Sequence, residues 1–284
     1  MSKIDQFESA FKSAERNPFK LERVEFNNCL TVTDQDTAEA DELTSQLQSF
    51  LQHVTHADSN WQALTRSDLR SVESFLKEIE KKQPDLICTY RNLMAPASEY
   101  PYSLGVFLDV MSQATSIPVL VVPSPVTKPD LNLTETVRSV MAITDHLAGE
   151  HHLVSMAAAL TPDDGSLTLA HVEDEKAFNR FIDSIGKIPE IDTEEARNLI
   201  MQQLLKDPKD YIESCREAIV AAGETYSVES VATIGHRLFD FKKIIREHDV
   251  DLVVLNTKDD DQLAMHGLAY PLSVELRDIP LLLA

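Results

Sequence analysis

Asp251-Leu-Val-Val-Leu-Asn256, with its continuation to Ala284, decides how this chain folds, because the chain writes the same grammar twice. DLVVLN is a run of branched apolar residues, too short and too uniform for an amphipathic helix, and reads as a buried strand. A polar loop follows (TKDDDQ, 257–262), then a helical stretch carrying HGLAYPLSVEL (266–276), then a second buried-type strand, IPLLLA (279–284). Much earlier DLICTY (85–90), a loop, LGVFLDVMSQ (104–113) and IPVLVVP (117–123) come in the same order. The spacing agrees too, since Gly105 stands thirteen residues before Pro118 and Gly267 thirteen before Pro280. Strand, helix and strand in such short alternation imply a parallel crossover.

Working outward, NWQALTR (60–66) and a helix over 67–84 precede the first copy, while SVESVATIG (227–235) and a helix over 236–250 precede the second. Their apolar positions fall on one helical side: Leu69, Val72, Phe75, Leu76 and Ile79 in one, Leu238, Phe239, Phe241, Ile244 and Ile245 in the other. Further back, CLTVTD (29–34) leads into a helix over 37–54, and SVMAITD (139–145) into the apolar helix HLVSMAAALT (152–161). Both opening strands end on an aspartate, Asp34 and Asp145.

On these residues, both halves resemble the universal stress protein domain, which runs β–α–β–α–β–α–β–α–β and closes on a strand of the CPVLVV type. The resemblance covers the chain from about Cys29 onward and implies an α/β protein of two tandem open parallel sheets, Rossmann-like and akin to the adenine nucleotide α-hydrolases. The expected division is 1–127 and 128–284. The first copy is abbreviated: between Val54 and Trp61 there is room only for a turn (HADSN), so one strand–helix unit is missing. In the second copy that unit is present as SLTLAHVED (166–174) with a long helical region over 190–222. The proline-bearing PSPVTKPDLNLTET (123–136) reads as an extended linker. Members of the family commonly pair their final strands antiparallel across a dimer. Here IPVLVVP and IPLLLA are expected to make that pairing inside one chain, an intramolecular pseudo-dimer with room for a further homodimer.

The resemblance also implies a site at the carboxyl ends of the strands, where an open α/β sheet holds its ligand. Asp34 and Asp145 match the aspartate on the adenine side, and Val172, after His171, matches the end of the second strand. Asn256 closes the equivalent strand of the second copy. The phosphate motif, G-x2-G-x9-G-[ST], needs glycine so that backbone N–H groups can approach closely. Here it fails: counting back from Gly105, the other glycine places hold Asn92 and Ala95, and Val106 stands where Ser or Thr belongs. In the second copy Leu268 follows Gly267, and the shortened loop carries Asp259, Asp260 and Asp261 beside a lone Lys258. Like charges at ~4 Å cost on the order of 1 kcal/mol each in screened surroundings. The expectation is a stress-type regulatory binding protein that binds no ATP, needs no cofactor and is not an enzyme. The alternatives are ATP or AMP in the cleft around Asp145, Val172 and Asn256, and a small hydrolase using His236 with a carboxylate.

Composition narrows the classes further. The 284 residues allow two cored units, and 43% hydrophobic with 26% charged residues is ordinary for a globular protein. A formal net charge of −21 is not ordinary; it disfavours nucleic acid and favours either a solvated acidic surface or docking of a basic protein partner. Cys29, Cys88 and Cys215 have no metal spacing and read as buried thiols of a reducing cytoplasm. No apolar run is long enough for a membrane span or a signal peptide, which implies a cytoplasmic location. Residues 3–16 read as an amphipathic helix, and FKLERVEFNN (19–28) as an extra strand or an extension of the CLTVT strand. Thr37 reads as a helix N-cap without a capping box. Glu150, His151 and His152 make a poor chelate, because adjacent helical residues point about 100° apart. The run at 259–261 does not alternate as an EF-hand loop requires.

Overall fold

A computed structural model of the protein describes residues 19–95, 102–125, 128, 133, 137–144, 147–257 and 267–284. The expected helix over 3–16, most of the linker, Asp145 and the run at 259–261 lie outside these residues. The first half contributes β1 (Phe26–Val32), α1 (Thr37–Phe50), β2 (Thr55–Leu64), α2 (Val72–Lys82), β3 (Leu86–Tyr90), α3 (Val106–Ala114) and β4 (Val119–Val122). The second half contributes β5 (Ser139–Ile143), α4 (His151–Leu160), β6 (Ser166–Asp174), α5 (Glu175–Ile185) and α6 (Thr193–Ala221). It ends with β7 (Ser227–Gly235), α7 (Arg237–Glu247), β8 (Leu252–Leu255), α8 (Ala269–Glu275) and β9 (Leu281–Leu283).

The strands form one nine-stranded sheet in the order β2-β1-β3-β4-β9-β8-β5-β6-β7. Neighbours pair in parallel except at one place: β4 meets β9 antiparallel, with Val119, Leu120 and Val121 opposite Leu283, Leu282 and Leu281. The expected end-strand pairing is therefore present within the chain. All residues of β3, β4, β5, β8 and β9 are buried, as parallel strands covered on both faces must be.

A second tie crosses the same seam. Arg91, directly after β3, is buried, and its guanidinium donates to the carbonyls of Ser273 and, at 2.6 Å, Leu276 at the end of α8. Terminal helix carbonyls have no partner in their own helix, so a cation from the other half caps α8. Burial, with Arg277 nearby, pushes the Arg91 pKa down to about 10, still far above neutrality.

The elements differ from the sequence reading at three places. The N-cap of α1 is Asp36, not Thr37; its carboxylate accepts from Ala38 and Glu39 N–H while the Glu39 side chain accepts from Asp36 N–H, a full capping box. HADSN is not a separate turn but the irregular start of β2, with Ser59 bridging to His56 N–H and the Phe26 carbonyl. The long helical region expected over 190–222 is α6 (Thr193–Ala221), but a separate helix, α5, stands before it, capped by Asp174 through Ala177 N–H. The first half also lacks a different place from the one its sequence suggests. β2 lies beside β1 as β6 lies beside β5, so the empty place is the outer one that β7 fills.

Residues 19–25 form no strand and cross between the halves. The Phe19 ring stands edge-on to Tyr211 of α6, and Glu22 N–H donates to Ser155 Oγ of α4 at 3.0 Å. No described helix is long and apolar enough to cross a membrane.

Two outcomes follow from these contacts. Arg91→Ala strands the α8 carbonyls in a buried seam and should lower unfolding free energy in urea by about 3 kcal/mol. The three cysteines are buried, and burial pushes Cys29 and Cys215 up to about 12 and Cys88 well above its ordinary value. An aromatic disulfide reagent near pH 8 should therefore find no reactive thiol in the folded chain, and three after denaturation.

Candidate functional site

In the first half the candidate residues meet at the carboxyl ends of β1 and β3. Asp34 follows β1, and Tyr90 ends β3, the strand beside it. The Tyr90 hydroxyl donates to Asp34 Oδ1 and accepts from Asp34 N–H at 3.0 Å; Thr33 Oγ1 lies 3.0 Å from the same oxygen. Asp34 Oδ2 accepts from Met94 N–H at 2.9 Å. Burial lifts the Tyr90 phenol above its ordinary pKa, and the bond to Asp34 lifts it further, so the hydroxyl stays a donor.

The loop carrying Met94 takes a shape that glycine would take. Asn92 (φ 60°) and Met94 (φ 60°) are both left-handed, a region Asn tolerates and Met adopts at a cost. Gly105, at φ 95°, precedes α3 and packs against this loop; a Cβ there would lie 3.2 Å from Asn92 Cα. Asn92 N–H donates to the Leu104 carbonyl and its side-chain amide to Ser103. The loop thus turns a backbone N–H onto a carboxylate of the chain itself. Asp34 and Gly105 are brought together here, with the loop between them.

In the second half the candidates are dispersed. Val172 on β6 is buried, and its carbonyl accepts from Arg237 Nε at 3.0 Å. Asn256 follows β8, and its amide donates to Glu150 Oε2 at 3.0 Å. It lines a cleft of about 320 Å³ whose opposite wall is Ser112, Thr115 and Ile117 of the first half. Gly267, left-handed at φ 57°, lines another, open cleft of about 770 Å³. Lys176, Arg237, Lys242 and Arg246 share that cleft with Asp174 and Glu275. The Ala177 N–H holds the Asp174 carboxyl below its usual range, with Arg237 adding to the effect. Lys242 pairs with Glu275 at 2.7 Å.

The histidines go to separate partners. His236 caps α7 in the Gly267 cleft, with its Nε2 3.8 Å from Glu175. His171 is buried on β6, 3.3 Å from Glu173. His151 meets the Tyr211 hydroxyl at 3.3 Å and His152 meets Glu22 at 3.2 Å, so the pair serves two different contacts. Among the described residues no group of three or more His, Cys, Asp or Glu is arranged to hold a metal. Tyr90, Arg91, Met94 and Arg237 escaped the sequence reading. The available signal was a polar residue directly after a buried strand, which marks its carboxyl end.

No family model matches the sequence, and no curated protein matches it. Solved structures do. The fold is similar to that of a functionally unknown protein from Pseudomonas aeruginosa PAO1, with TM-score 0.53 and 13% identity over 91% of this chain and 92% of that one. It is likewise similar to a universal stress protein from Archaeoglobus fulgidus DSM 4304, with TM-score 0.52 and 13% identity over 93% and 98%. At such identities the likeness is one of fold, and it spans both halves of the chain.

The Asp34 network gives a direct test. Tyr90→Phe removes the donor to Asp34 and leaves a partly buried carboxylate with one bond fewer, which should cost about 1–3 kcal/mol of stability in urea. Gly105→Ala, forced to φ 95° against Asn92, should cost at least about 1 kcal/mol by the same measurement.

Proposed function

We propose that the chain is a tandem universal stress-type protein, cytoplasmic, which acts by binding rather than by turnover and does not bind ATP. One observation carries this reading: both Asp34 oxygens are taken up inside the chain, by Tyr90 and by the Met94 N–H. In a nucleotide-holding relative of the fold, the resemblance implies that this carboxylate faces the adenine and that the loop faces phosphate. Here carboxylate and loop face each other. A nucleotide would have to break both bonds and reopen a loop whose glycine places hold Asn92 and Ala95. In this reading the two halves, 1–127 and 128–284, are copies that have specialised, the first towards a structural role.

A second reading has its own support. The cleft beside Gly267 gathers Lys176, Arg237, Lys242 and Arg246 in a chain of net charge −21, a local reversal of sign that suits an adenine nucleotide's phosphates. Against it, the Val172 carbonyl and the Asn256 amide are already engaged, by Arg237 and Glu150. A hydrolase centred on His236 would use Glu175 as its carboxylate, and 3.8 Å is too long for a hydrogen bond between them.

Calorimetric titration of the full chain with ATP and with AMP separates these readings. The expected result is no saturable heat up to ~1 mM nucleotide, weaker than about −4 kcal/mol of binding free energy. Saturable micromolar binding would overturn the first reading, and its loss in Lys176→Ala with Lys242→Ala would place the nucleotide beside Gly267.

A further inference from the structure

The helices that connect β6 to β7 outreach the sheet. α6 has 29 residues, about 43 Å at the helical rise, while the strand it leads into, β7, has 9 residues and runs about 30 Å. One side of α6 carries Pro208, Tyr211, Cys215 and Ile219, all buried, and the same helical spacing continues backwards through Leu204 and Ile200. Those two are not buried, and neither is any other residue of 183–207. Phe181, Ile188, Ile191, Leu199 and Leu204 are exposed, at 36–58%. The end of α5, the turn after it and the first half of α6 thus form an arm whose apolar side chains the described chain leaves in water, the mark of an interaction surface.

Charge along the arm is ordered. Glu190, Asp192, Glu194 and Glu195 crowd its tip, with no cation among residues 188–195. Residues 196–206 then carry no acid at all, in a chain with 47, and hold Arg197 and Lys206. Arg197 is used inside the arm, over the Phe178 ring and bonded to Asn179. Glu195 and Lys206 are exposed, and neither forms an ion pair among the described residues. They share one side of α6 with Leu199 and Gln202, both exposed, at successive spacings of four, three and four. Roughly 17 Å of helix separates the two charges, so they cannot meet within one chain.

We propose that this arm docks a second copy of the chain, α6 against α6, antiparallel across a twofold axis. Read in reverse, the four positions complement themselves: Glu195 faces the partner's Lys206, and Leu199 faces the partner's Gln202. The apolar side chains of the arm supply the burial that ion pairs in water do not. A second copy is the occupant for two reasons. The apolar strands most able to recruit another chain, β4 and β9, are already spent on each other. A chain of net charge −21 repels its own copy, and least where acids are missing and the charges left are self-complementary. A basic partner would find carboxylates over the whole surface and no reason to choose the stretch that lacks them.

Sedimentation equilibrium of the full chain at ~0.15 M salt, where exposed charges beyond about 8 Å are screened, tests this. A concentration-dependent dimer is expected between ~1 and ~100 µM chain. Lys206→Glu should weaken association about tenfold, since the twofold axis turns two attractions into two repulsions, and Leu199→Glu should weaken it at least as much. Glu195→Lys combined with Lys206→Glu should restore the dimer, and only a contact between copies can restore it. Lys81→Glu, the same change of charge on α2, should associate as the parent does. These positions are exposed, so every variant should melt close to the parent. The proposal is overturned by a monomer over the whole range, by a dimer that Lys206→Glu and Leu199→Glu leave intact, by a double variant as weak as Lys206→Glu, or by equal weakening in Lys81→Glu. Nucleotide titration reads a different place, the cleft at Gly267, and its result does not bear on these outcomes.

Discussion

The antiparallel meeting of β4 and β9 is the contact on which the rest of the molecule depends. Three residues from each strand pair there, and every other neighbouring pair in the sheet is parallel. Without it each half would end on an exposed, wholly apolar edge strand, Val119–Val122 or Leu281–Leu283, a template for aggregation. Joined, the two edges vanish into the middle of a nine-stranded sheet. The outer places go to β2 and β7, whose residues are mostly half-buried or exposed and carry charge. Arg91 then reinforces the seam by satisfying carbonyls at the end of α8 that the short helix cannot satisfy itself.

The same seam lets the two halves differ. In a dimer of identical chains each subunit must serve as both partners, so a change on one side is repeated on the other. Within one polypeptide the sides are free to differ. Among the described residues the first half has no counterpart of β7, and it engages Asp34 in a network with Tyr90 and Met94. The second keeps a fifth strand, adds the long α6, and sets its basic side chains around Gly267. An asymmetric segment, residues 19–25, is then able to run across from α6 and α4 to β1, packing Phe19 against Tyr211. It forms one wall of a cleft of about 450 Å³ lined by Glu22, Glu25, Asp163, Glu224 and Tyr226.

Charge placement follows the same division of labour. A net charge of −21 is spread over exposed helices and loops, where water screens it. The exceptions are informative because they are local. Four cationic side chains gather around Gly267, and carboxylates gather around Tyr226. Whole-chain charge does not predict either cleft.

Periodicity and spacing alone determined the α/β class and the repeated strand–helix–strand pattern, because buried parallel strands must be short continuous apolar runs, whereas the pairing of the last strands was implied only by the resemblance to the universal stress protein domain. They also placed Asp34 at a strand end, and Gly105 and Gly267 just before a helix. Local boundaries were less legible: Thr37 hid the cap at Asp36, and HADSN reads as a turn although Ser59 ties it into β2. What only the tertiary structure decided is which groups consume one another. Tyr90 lies 56 residues from Asp34, and Arg91 lies 182 from Ser273. No short-range pattern encodes contacts between strand ends brought together by crossovers, so the engagement of Asp34 and the tie between Arg91 and α8 follow from the folded chain, where hydrogen-bond capacity is either satisfied or left over.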